Sequence, residues 1–336
     1  MAGNISFGYI FDMRNPRQWR RSSEDLYAEV LDIVTGIEGM GFGSAWVPEH
    51  HLAEDDYIPS PLMVLSAIAA RTSRITIGSA IALAPLYDPV RFAEDCAILD
   101  ILSKGRAEVG LAIGYRKREY AAFGIDFRTR GKRFDEFLQI VRELWAGGKV
   151  TFEGEFFSIK DAEVRPLSSR GQIPLYIGGF VEKALDRAAR YGDGYYGPAD
   201  GYAAYVARLA NHGKDPASAG ILVPALYNVI ARDPDSAMAE LAPHYCHVYN
   251  AYGAWMEEDK ALGMEGVEPS EMDLETFTNS GILQIWTPDE AISRLKEMQE
   301  RMNLKHFVMM MPPGLPRERF LAYAQDIASD ILPEFR

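Results

Sequence analysis

Two adjacent histidines beside a glutamate form the group in this sequence that most clearly suggests chemistry. Glu49, His50 and His51 follow the short apolar run 44–47 and a proline, Pro48. An imidazole gains or loses a proton near neutral pH, and a neighbouring carboxylate can fix its tautomer. If a buried strand ends before Pro48, these side chains open onto a reaction site. A purely structural role for both histidines fits the same residues.

Three further stretches place small or basic residues at the ends of apolar runs, where a ligand could approach the backbone. Residues 79–85 are small and apolar, and residues 110–114 contain two glycines before the basic run 116–118. Residues 176–181 read Tyr-Ile-Gly-Gly-Phe-Val, and unpaired amides at a helix start bind phosphate well. Core packing, a solvated charge run and a tight turn explain these stretches without a ligand. The glycines match neither common nucleotide-binding fingerprint.

Composition limits what such a site can bind. The 48 acidic and 35 basic residues give a formal net charge of −13, which opposes binding to nucleic acid or an anionic membrane surface. Cys96 and Cys246 are far apart and lack metal-ligand spacing. The N-terminus has no basic leader before an apolar core, and no apolar run reaches about 18 residues. The sequence therefore predicts a cytoplasmic protein with a small-molecule partner, and neither secretion nor a membrane span.

The elements that must position these residues alternate regularly along the chain. Apolar runs separated by helical patterns predict eight strands, at 5–11, 44–47, 74–83, 107–113, 174–177, 192–196, 221–231 and 306–311. Parallel strands need crossover connections, so the alternation predicts an α/β fold, a (β/α)8 barrel with insertions after several strands. A doubly wound sheet is the alternative. In a barrel of this kind the carboxyl ends of the strands carry the ligand site, which would unite the four stretches.

Three segments interrupt the predicted single domain of residues 1–336. Residues 115–128 are polar and aromatic, and we expect a long loop without regular structure there. Residues 150–157 alternate around a Glu-Gly turn and predict a small hairpin. Residues 257–279 are acidic and rich in methionine, without a clear period, and we expect an insertion on the surface or over the site.

The sequence resembles the bacterial-luciferase-like family of flavin-dependent monooxygenases. The resemblance covers most of the chain and rests on several segments taken together: 41–51, 78–85, 88–91, 102–110, 123–126, 174–179 and 287–291. No one of these segments is decisive, but their order and spacing are highly specific.

The resemblance implies a (β/α)8 barrel, often a homodimer, that binds reduced flavin at the carboxyl ends of its strands. His50 falls on the family's catalytic histidine, which leaves Glu49 and His51 as orienting or structural groups. Ala80 and Ile81 fall where the family often has a non-prolyl cis peptide beneath the flavin ring. In these monooxygenases a separate flavin reductase supplies reduced FMN, which reacts with O2 to give a C4a-hydroperoxide that oxidises the substrate, here a hydrophobic small molecule.

The sequence departs from the family at the flavin phosphate. Ile113 stands where the luciferase subunit has a phosphate-binding arginine, and we still expect Ile113 and Tyr115, at the end of the fourth strand, among the cofactor-binding residues. The phosphate is therefore expected to bind to four residues after the fifth strand, with help from a residue of the run 116–118: Gly178, Gly179, Phe180 and Val181.

Two alternatives follow from the same resemblance. A related branch of the family uses the deazaflavin F420 for hydride transfer without O2, and the Gly-Gly pair is compatible with that cofactor. A non-catalytic flavin-binding protein is the other alternative. FMN is preferred because Glu-His-His at 49–51 and Ser-Lys-Gly-Arg at 103–106 look more like the luciferase members of the family than the F420-dependent branch.

Aromatic residues near the predicted strand ends are candidate walls of a substrate pocket, although plain packing explains them equally well. These residues are Phe7, Phe11, Tyr57, Tyr115, Phe180 and Trp286.

Overall fold

The structure is a computed structural model that describes residues 4–261 and 271–336. The strands in this part of the chain are β1 (Ser6–Ile10), β2 (Ser44–Val47), β3 (Thr76–Leu83), β4 (Ala107–Ala112), β5 (Val150–Glu153), β6 (Ser158–Ala162), β7 (Leu175–Gly178), β8 (Gly194–Tyr196), β9 (Gly220–Ala225), β10 (Asn228–Ile230), β11 (Gln284–Trp286) and β12 (Leu304–Met310). The α-helices are α1 (Ser23–Met40), α2 (Pro61–Arg71), α3 (Pro89–Ser103), α4 (Lys117–Ala122), α5 (Arg130–Ala146), α6 (Glu182–Tyr191), α7 (Tyr202–Leu209), α8 (Pro234–Ala261), α9 (Leu274–Asn279), α10 (Pro288–Arg301) and α11 (Arg317–Asp330).

Eight parallel strands close into a barrel in the order β1-β12-β9-β8-β7-β4-β3-β2. Helices on the outside connect successive strands, so the predicted (β/α)8 barrel is confirmed and the doubly wound alternative is wrong. The closure brings the end of β2 beside the ends of β1 and β3. Each candidate stretch lies at or just after the carboxyl end of a barrel strand, so the stretches meet at one end of the barrel.

The first helix shows how local sequence sets an element boundary. The Ser22 side chain accepts a hydrogen bond from the Asp25 amide at 3.1 Å, which caps the start of α1. Gly41 ends the helix with φ 98°, a conformation that favours glycine. The helix buries an apolar stripe that includes Ile33 and Ile37 against the barrel. Ser22 and Gly41 thus set the two ends of α1.

Two local predictions were wrong. The apolar run 221–231 predicted one strand, but it divides into β9 of the barrel and β10, which pairs with β11 in a separate two-stranded sheet. Continuous apolar character contains no signal for such a break. The stretch 115–128 was expected to lack regular structure, but it contains α4. This helix buries only Glu119 and Tyr120, so it has no apolar period to detect.

The two predicted insertions have different outcomes. The hairpin is confirmed, since β5 and β6 pair antiparallel outside the barrel. The predicted insertion at 257–279 begins inside α8 and ends with α9, while its residues 262–270 lie outside the described residues. Its position over the site therefore stays a prediction. Among the helices that are described, none is both long and apolar enough to cross a membrane.

Glycines make room for bulky side chains inside the barrel. Trp46 is completely buried there, and a Cβ on Gly78 would collide with its ring. Tyr176 packs edge-on against Trp46, with ring centroids 6.2 Å apart. Together with Ala80 and Leu222, these side chains form a small inner core. The interior is therefore filled below the end at which the candidate site lies.

Candidate active site

The histidine that the sequence singles out is held by a carboxylate from another part of the chain. His50 follows β2, is 7% exposed, and donates its backbone amide to the Ile58 carbonyl at 3.1 Å. Its ring atom Nδ1 lies 2.9 Å from Glu119 Oε1, and the same oxygen accepts the His51 amide at 2.8 Å. Glu119 is fully buried on α4. One carboxylate thus fixes both the ring and the backbone that follows it.

Burial determines the protonation of this histidine. Burial lowers the pKa of His50 below its usual range, and the charges of Arg14 and Arg116 act in the same direction. The hydrogen bond and charge of Glu119 oppose this effect without reversing it. The ring is therefore neutral at neutral pH. When Nδ1 donates to Glu119, Nε2 is left as a hydrogen-bond and proton acceptor.

Glu49 and His51 form a second contact network beside the first. His51 Nε2 lies 2.8 Å from Glu49 Oε1. The other oxygen of Glu49 accepts the Leu83 amide at 2.9 Å and the Tyr87 hydroxyl at 2.8 Å. These bonds connect the end of β2 to the end of β3. Such contacts suit the orienting or structural role that is predicted for Glu49 and His51.

The basic run after β4 faces α8. Arg116 is 1% exposed and donates to the His51 carbonyl at 2.8 Å. Its guanidinium also lies 3.6 Å from Glu119 and 3.3 Å from Glu258. Arg118 pairs with Glu258 at 3.2 Å. Because both guanidinium groups have carboxylate partners, Arg116 and Arg118 are poor candidates for the additional phosphate contact that the sequence suggested.

Four aromatic rings surround His50. The ring centroids of Trp255, Tyr57, Tyr115 and Tyr252 lie 4.8, 5.0, 5.5 and 6.0 Å from that of His50. Tyr57 and Tyr115 were predicted as walls, whereas Tyr252 and Trp255 come from α8. The other predicted wall residues lie elsewhere, packed into the outer core or exposed: Phe7, Phe11, Trp286 and Phe180.

A buried arginine lies behind three of these rings. The guanidinium of Arg14 lies 4.6, 4.8 and 4.9 Å from the ring centroids of Tyr57, Tyr252 and Trp255. Its side chain is inaccessible to solvent and pairs with Asp12 at 3.2 Å. Cation–π contacts of this kind are strongest where water is excluded. Three of the four rings around His50 therefore contact a fixed positive charge.

Two carboxylates balance Arg14 in different ways. Burial raises the pKa of Asp12 to about 6, even though Arg14 opposes the change. Burial also acts to raise the pKa of Asp55, but hydrogen bonds from His247 and Arg14 outweigh it and lower this pKa to about 2. His247 Nε2 lies 3.0 Å from Asp55 and belongs to α8. Asp55 thus connects α8 to the loop after β2.

Sequence reasoning missed Glu119, Arg14 and Trp255. Each is distant in sequence from His50. Each becomes part of the site only through a contact that forms when the barrel closes. A buried acid on a short helix and an arginine in a loop leave no periodic pattern. The one available signal was the length of the segment after β4.

The candidate ring-binding residues lie at the ends of β3 and β4. The Ala80–Ile81 peptide bond is cis, as the resemblance implied. Ala80 is buried inside the barrel, and Ile81 is half-buried. A Cβ on Gly178 would collide with Cδ1 of Ile81, so this glycine makes room for the isoleucine. The structure therefore brings Ile81 and Gly178 together.

The candidate phosphate-binding residues lie between β7 and α6. Gly178 is the last residue of β7, and Gly179 has φ 134°, which favours glycine. Phe180 and Val181 are 79% and 56% exposed. Val181 precedes α6 without a side-chain hydrogen bond to its first turn. The Ala184 amide already donates to the Val181 carbonyl at 2.8 Å, so the Glu182 and Lys183 amides are the ones in the first turn that could bind an anion.

Ile113 and Tyr115 complete the candidate set. Ile113 is half-buried at the end of β4, and its carbonyl accepts a hydrogen bond from Tyr120. The Tyr115 hydroxyl is buried, and no described residue is its hydrogen-bond partner. Burial raises the pKa of Tyr115 well above its usual value, so the hydroxyl remains a donor. A half-buried apolar edge and an unsatisfied hydroxyl fit a planar, polar-edged cofactor such as a flavin.

Comparison with known proteins decides the family. The profile of a family described as luciferase-like monooxygenase matches residues 6–303. The chain belongs to this family. No group of acidic, histidine or cysteine side chains among the described residues is arranged to hold a metal ion.

Relatives within the luciferase-like family use different cofactors. An F420-dependent glucose-6-phosphate dehydrogenase of Microbacterium testaceum is 28% identical, over 92% of this chain and 93% of its own. The oxygenase component of a flavin-dependent trigonelline monooxygenase of Acinetobacter baylyi is 23% identical, over 94% and 92%. The structure of the monooxygenase RslO1 of Streptomyces bottropensis superposes with a TM-score of 0.79 at 22% identity, over 99% of this chain and all of that chain, which shows the shared fold.

Proposed function

We propose that this protein is a two-component monooxygenase that uses O2 and reduced FMN, supplied by a separate reductase, to oxidise a hydrophobic small molecule. One observation carries the proposal. His50 is a buried, neutral imidazole that Glu119 orients and four aromatic rings enclose. An enclosed site of this kind keeps water from a reactive oxygen species.

The residues at the ends of three strands, β3, β4 and β7, would hold the cofactor. Ala80, Ile81, Ile113 and Tyr115 would contact the ring, and the backbone of residues 178–181 would bind the phosphate. When bound, FMN supplies the electrons and the activation of O2. The unsatisfied Tyr115 hydroxyl and the start of α6, which has no side-chain cap, support this assignment.

His50 would act through Nε2. This atom would accept a hydrogen bond or a proton from the reacting group, while Glu119 holds the ring in one tautomer. Tyr57, Tyr115 and Trp255 would exclude water from the same space. The role of the protein is thus to orient, to move a proton and to keep the site dry.

The charges around His50 favour a substrate without a phosphate group. The two nearby cations, Arg14 and Arg116, already pair with carboxylates of Asp12 and Glu258. A phosphate would need an additional positive charge to offset its desolvation. The aromatic surface instead suits an apolar molecule.

Hydride transfer to F420 is the second candidate. The dehydrogenase from Microbacterium testaceum, which matches over almost the whole chain, favours it. An acceptor at His50 Nε2 also suits the removal of a hydroxyl proton from an alcohol while its carbon is oxidised. A non-catalytic flavin-binding protein is the third possibility, and replacement of His50 tests it.

Cofactor titration followed by an oxygen challenge distinguishes these functions. The protein is titrated anaerobically with reduced FMN and, separately, with F420. The FMN complex is then mixed with O2, and the loss of reduced FMN and the release of hydrogen peroxide are followed together. A delay in peroxide release relative to free FMN supports the monooxygenase. Binding of F420 without binding of FMN contradicts it.

We also propose that the protein is a cytoplasmic homodimer. Cys96 and Cys246 are both buried and unpaired, which suits a reducing compartment. The neighbouring helices α2 and α3 expose four apolar side chains, a feature typical of an interface: Met63, Ile98, Ile101 and Leu102.

A further inference from the structure

A cavity of about 510 Å3 shares a wall with the candidate active site. Trp255 lines this cavity, and its ring also lies 4.8 Å from the ring of His50. Arg116 lines it as well, and donates to the His51 carbonyl. His50 is not among the described residues that line the cavity. Its volume lies within the range of roughly 300–1,000 Å3 that is usual for small-molecule pockets.

Two arginines of the cavity wall already have a carboxylate partner. Glu258 pairs with Arg116 at 3.3 Å and with Arg118 at 3.2 Å, and all three residues line the cavity. Asp55, also on the wall, lies 3.0 Å from His247. Arg116 and Arg118 are therefore poorly placed to attract an anionic ligand.

Among the charged side chains of the wall that have no ion-pair partner, carboxylates outnumber cations. Glu54, Glu271 and Arg17 also line the cavity, and none of the three forms an ion pair with a described residue. Two negative charges thus oppose one positive charge. An anion in the cavity would be repelled, whereas a neutral or positively charged group would not.

Two buried polar atoms on the wall have no partner. Asp55 Oδ1 and Arg116 Nε form no hydrogen bond to a described residue, although the side chains are only 9% and 1% exposed. Buried polar atoms of this kind are costly unless a ligand or water satisfies them. Asp55 and Arg116, which both line the cavity, thus each contain one unsatisfied buried polar atom.

We propose that this cavity is the outer compartment of the substrate site, and that it holds a polar, non-anionic end of an amphiphilic substrate. The apolar part of that molecule would pack against Ala251, Ala254 and Trp255, on the α8 wall that the cavity shares with the site of His50. That the ligand is a substrate rests on the proposed function, whereas its binding in the cavity does not. The charged wall selects the end group, and Trp255 separates it from the reacting part.

Calorimetric titration with hexylamine and hexanoate tests this assignment, because the two probes have the same tail length and opposite charges. Hexylamine is expected to bind at least about tenfold more tightly than hexanoate. Ala254→Trp fills the cavity and should weaken hexylamine binding by at least about tenfold. Ala239→Trp, at an exposed position on the same helix that does not line the cavity, is the matched control and should bind like the unmodified protein.

A double variant tests the preference of the cavity for hexylamine over hexanoate. Replacing both free carboxylates, with Glu54→Gln and Glu271→Gln, should reduce the difference between the two probes. Ala251→Trp serves the same purpose as Ala254→Trp if the latter does not fold. Equal binding of hexylamine to the filled and unmodified cavities, or tighter binding of hexanoate, would overturn the assignment.

The same proteins separate this inference from the proposed function. Ala254→Trp should leave the affinities for FMN and F420 unchanged, because Ala254 does not belong to the candidate cofactor residues. If the unmodified protein binds neither cofactor but binds hexylamine in the cavity, the proposed function fails and the compartment stands. If it binds a cofactor but not hexylamine, the compartment fails alone.

Discussion

His50 Nδ1 lies 2.9 Å from Glu119 Oε1, although 69 residues separate the two along the chain. Glu119 belongs to α4, after the fourth barrel strand, whereas His50 follows the second. The contact leaves Nε2 as the ring atom that can act on a ligand. Chemistry at His50 therefore depends on the position of a short helix that the sequence did not reveal.

Replacement of His50 tests whether its ring takes part in chemistry. His50→Gln should slow turnover by about 10²–10⁴-fold, the usual cost of losing a general acid or base. Cofactor affinity should change little, because the residues that are proposed to bind the ring and phosphate are intact. Stopped-flow oxidation and equilibrium titration measure the two effects. An unchanged rate would remove His50 from the mechanism and favour a non-catalytic flavin-binding protein.

The pH dependence of turnover should reflect the environment of His50. Since burial lowers the pKa of His50 and the neutral ring is the active form, activity should persist below the usual histidine value of about 6.5 and fall at lower pH. Glu119 raises this pKa and Arg116 lowers it. Glu119→Gln should therefore move the acid limb to lower pH, and Arg116→Gln should move it to higher pH.

The opposite directions of the two predicted pH shifts serve as the control in this comparison. General damage to the site would lower the plateau rate in both variants without moving the two limbs apart. Full pH–rate profiles for the two variants and the unmodified protein provide the measurement. Shifts in the same direction would contradict the electrostatic account.

Gly178 should not tolerate a side chain. The Cβ of Gly178→Ala would collide with Ile81, whose half-buried side chain belongs to the candidate cofactor site. Overpacking of this kind costs about 1–3 kcal/mol, so cofactor affinity or the free energy of unfolding should fall by a similar amount. Gly39→Ala on α1 is the control, because its new Cβ would meet no atom within 4 Å. Equal behaviour of both variants would show that Ile81 moves freely.

The two carboxylates beside Arg14 should contribute to stability with opposite signs. The pKa of Asp55 is lowered to about 2, so its charged form stabilises the fold above the usual value of 3.8, and this contribution is lost as the pH falls toward 2. The pKa of Asp12 is raised to about 6, so the contribution of its protonated form is lost as the pH rises through that value. At neutral pH, Asp55→Asn should lower the free energy of unfolding by about 2 kcal/mol, whereas Asp12→Asn should raise it or leave it unchanged. Urea unfolding measures both variants, and a larger loss for Asp12→Asn would refute the assignment.

The exposed face of α2 and α3 should form the dimer interface. Light scattering after size exclusion should show a dimer for the unmodified protein and a monomer for Ile98→Glu combined with Leu102→Glu. Leu274→Glu, at an apolar side chain on α9 that is 45% exposed, is the control and should remain dimeric. A monomeric unmodified protein would contradict the proposal.

The sequence predicted the barrel because apolar runs and helical periods are local properties. The strand that ends at Val47 was placed correctly, and with it the position of His50 at the end of a barrel strand. The division of the run 221–231 was missed because both of its parts are apolar. The two parts differ in their partner strands, since β9 pairs with β8 and β12 in the barrel and β10 pairs with β11 outside it. These pairings exist only in the folded protein.

The partners of His50 could not be predicted for a related reason. Glu119, Tyr252 and Trp255 become neighbours of His50 only when the barrel closes and α8 packs across its end. The resemblance supplied the role of His50 and the cis bond at Ala80–Ile81, which the residues alone did not predict. The lower pKa of His50 required the observed burial and the charges of two arginines.

The most direct test of the proposed function is which cofactor the protein binds and how the bound cofactor reacts with O2. Anaerobic titration with reduced FMN and with F420, followed by rapid mixing with O2, measures both. Reduced FMN should bind, and release of hydrogen peroxide should lag behind the oxidation of the bound FMN. The lag should shorten in His50→Gln. Tight binding of F420 together with no binding of FMN would contradict the account.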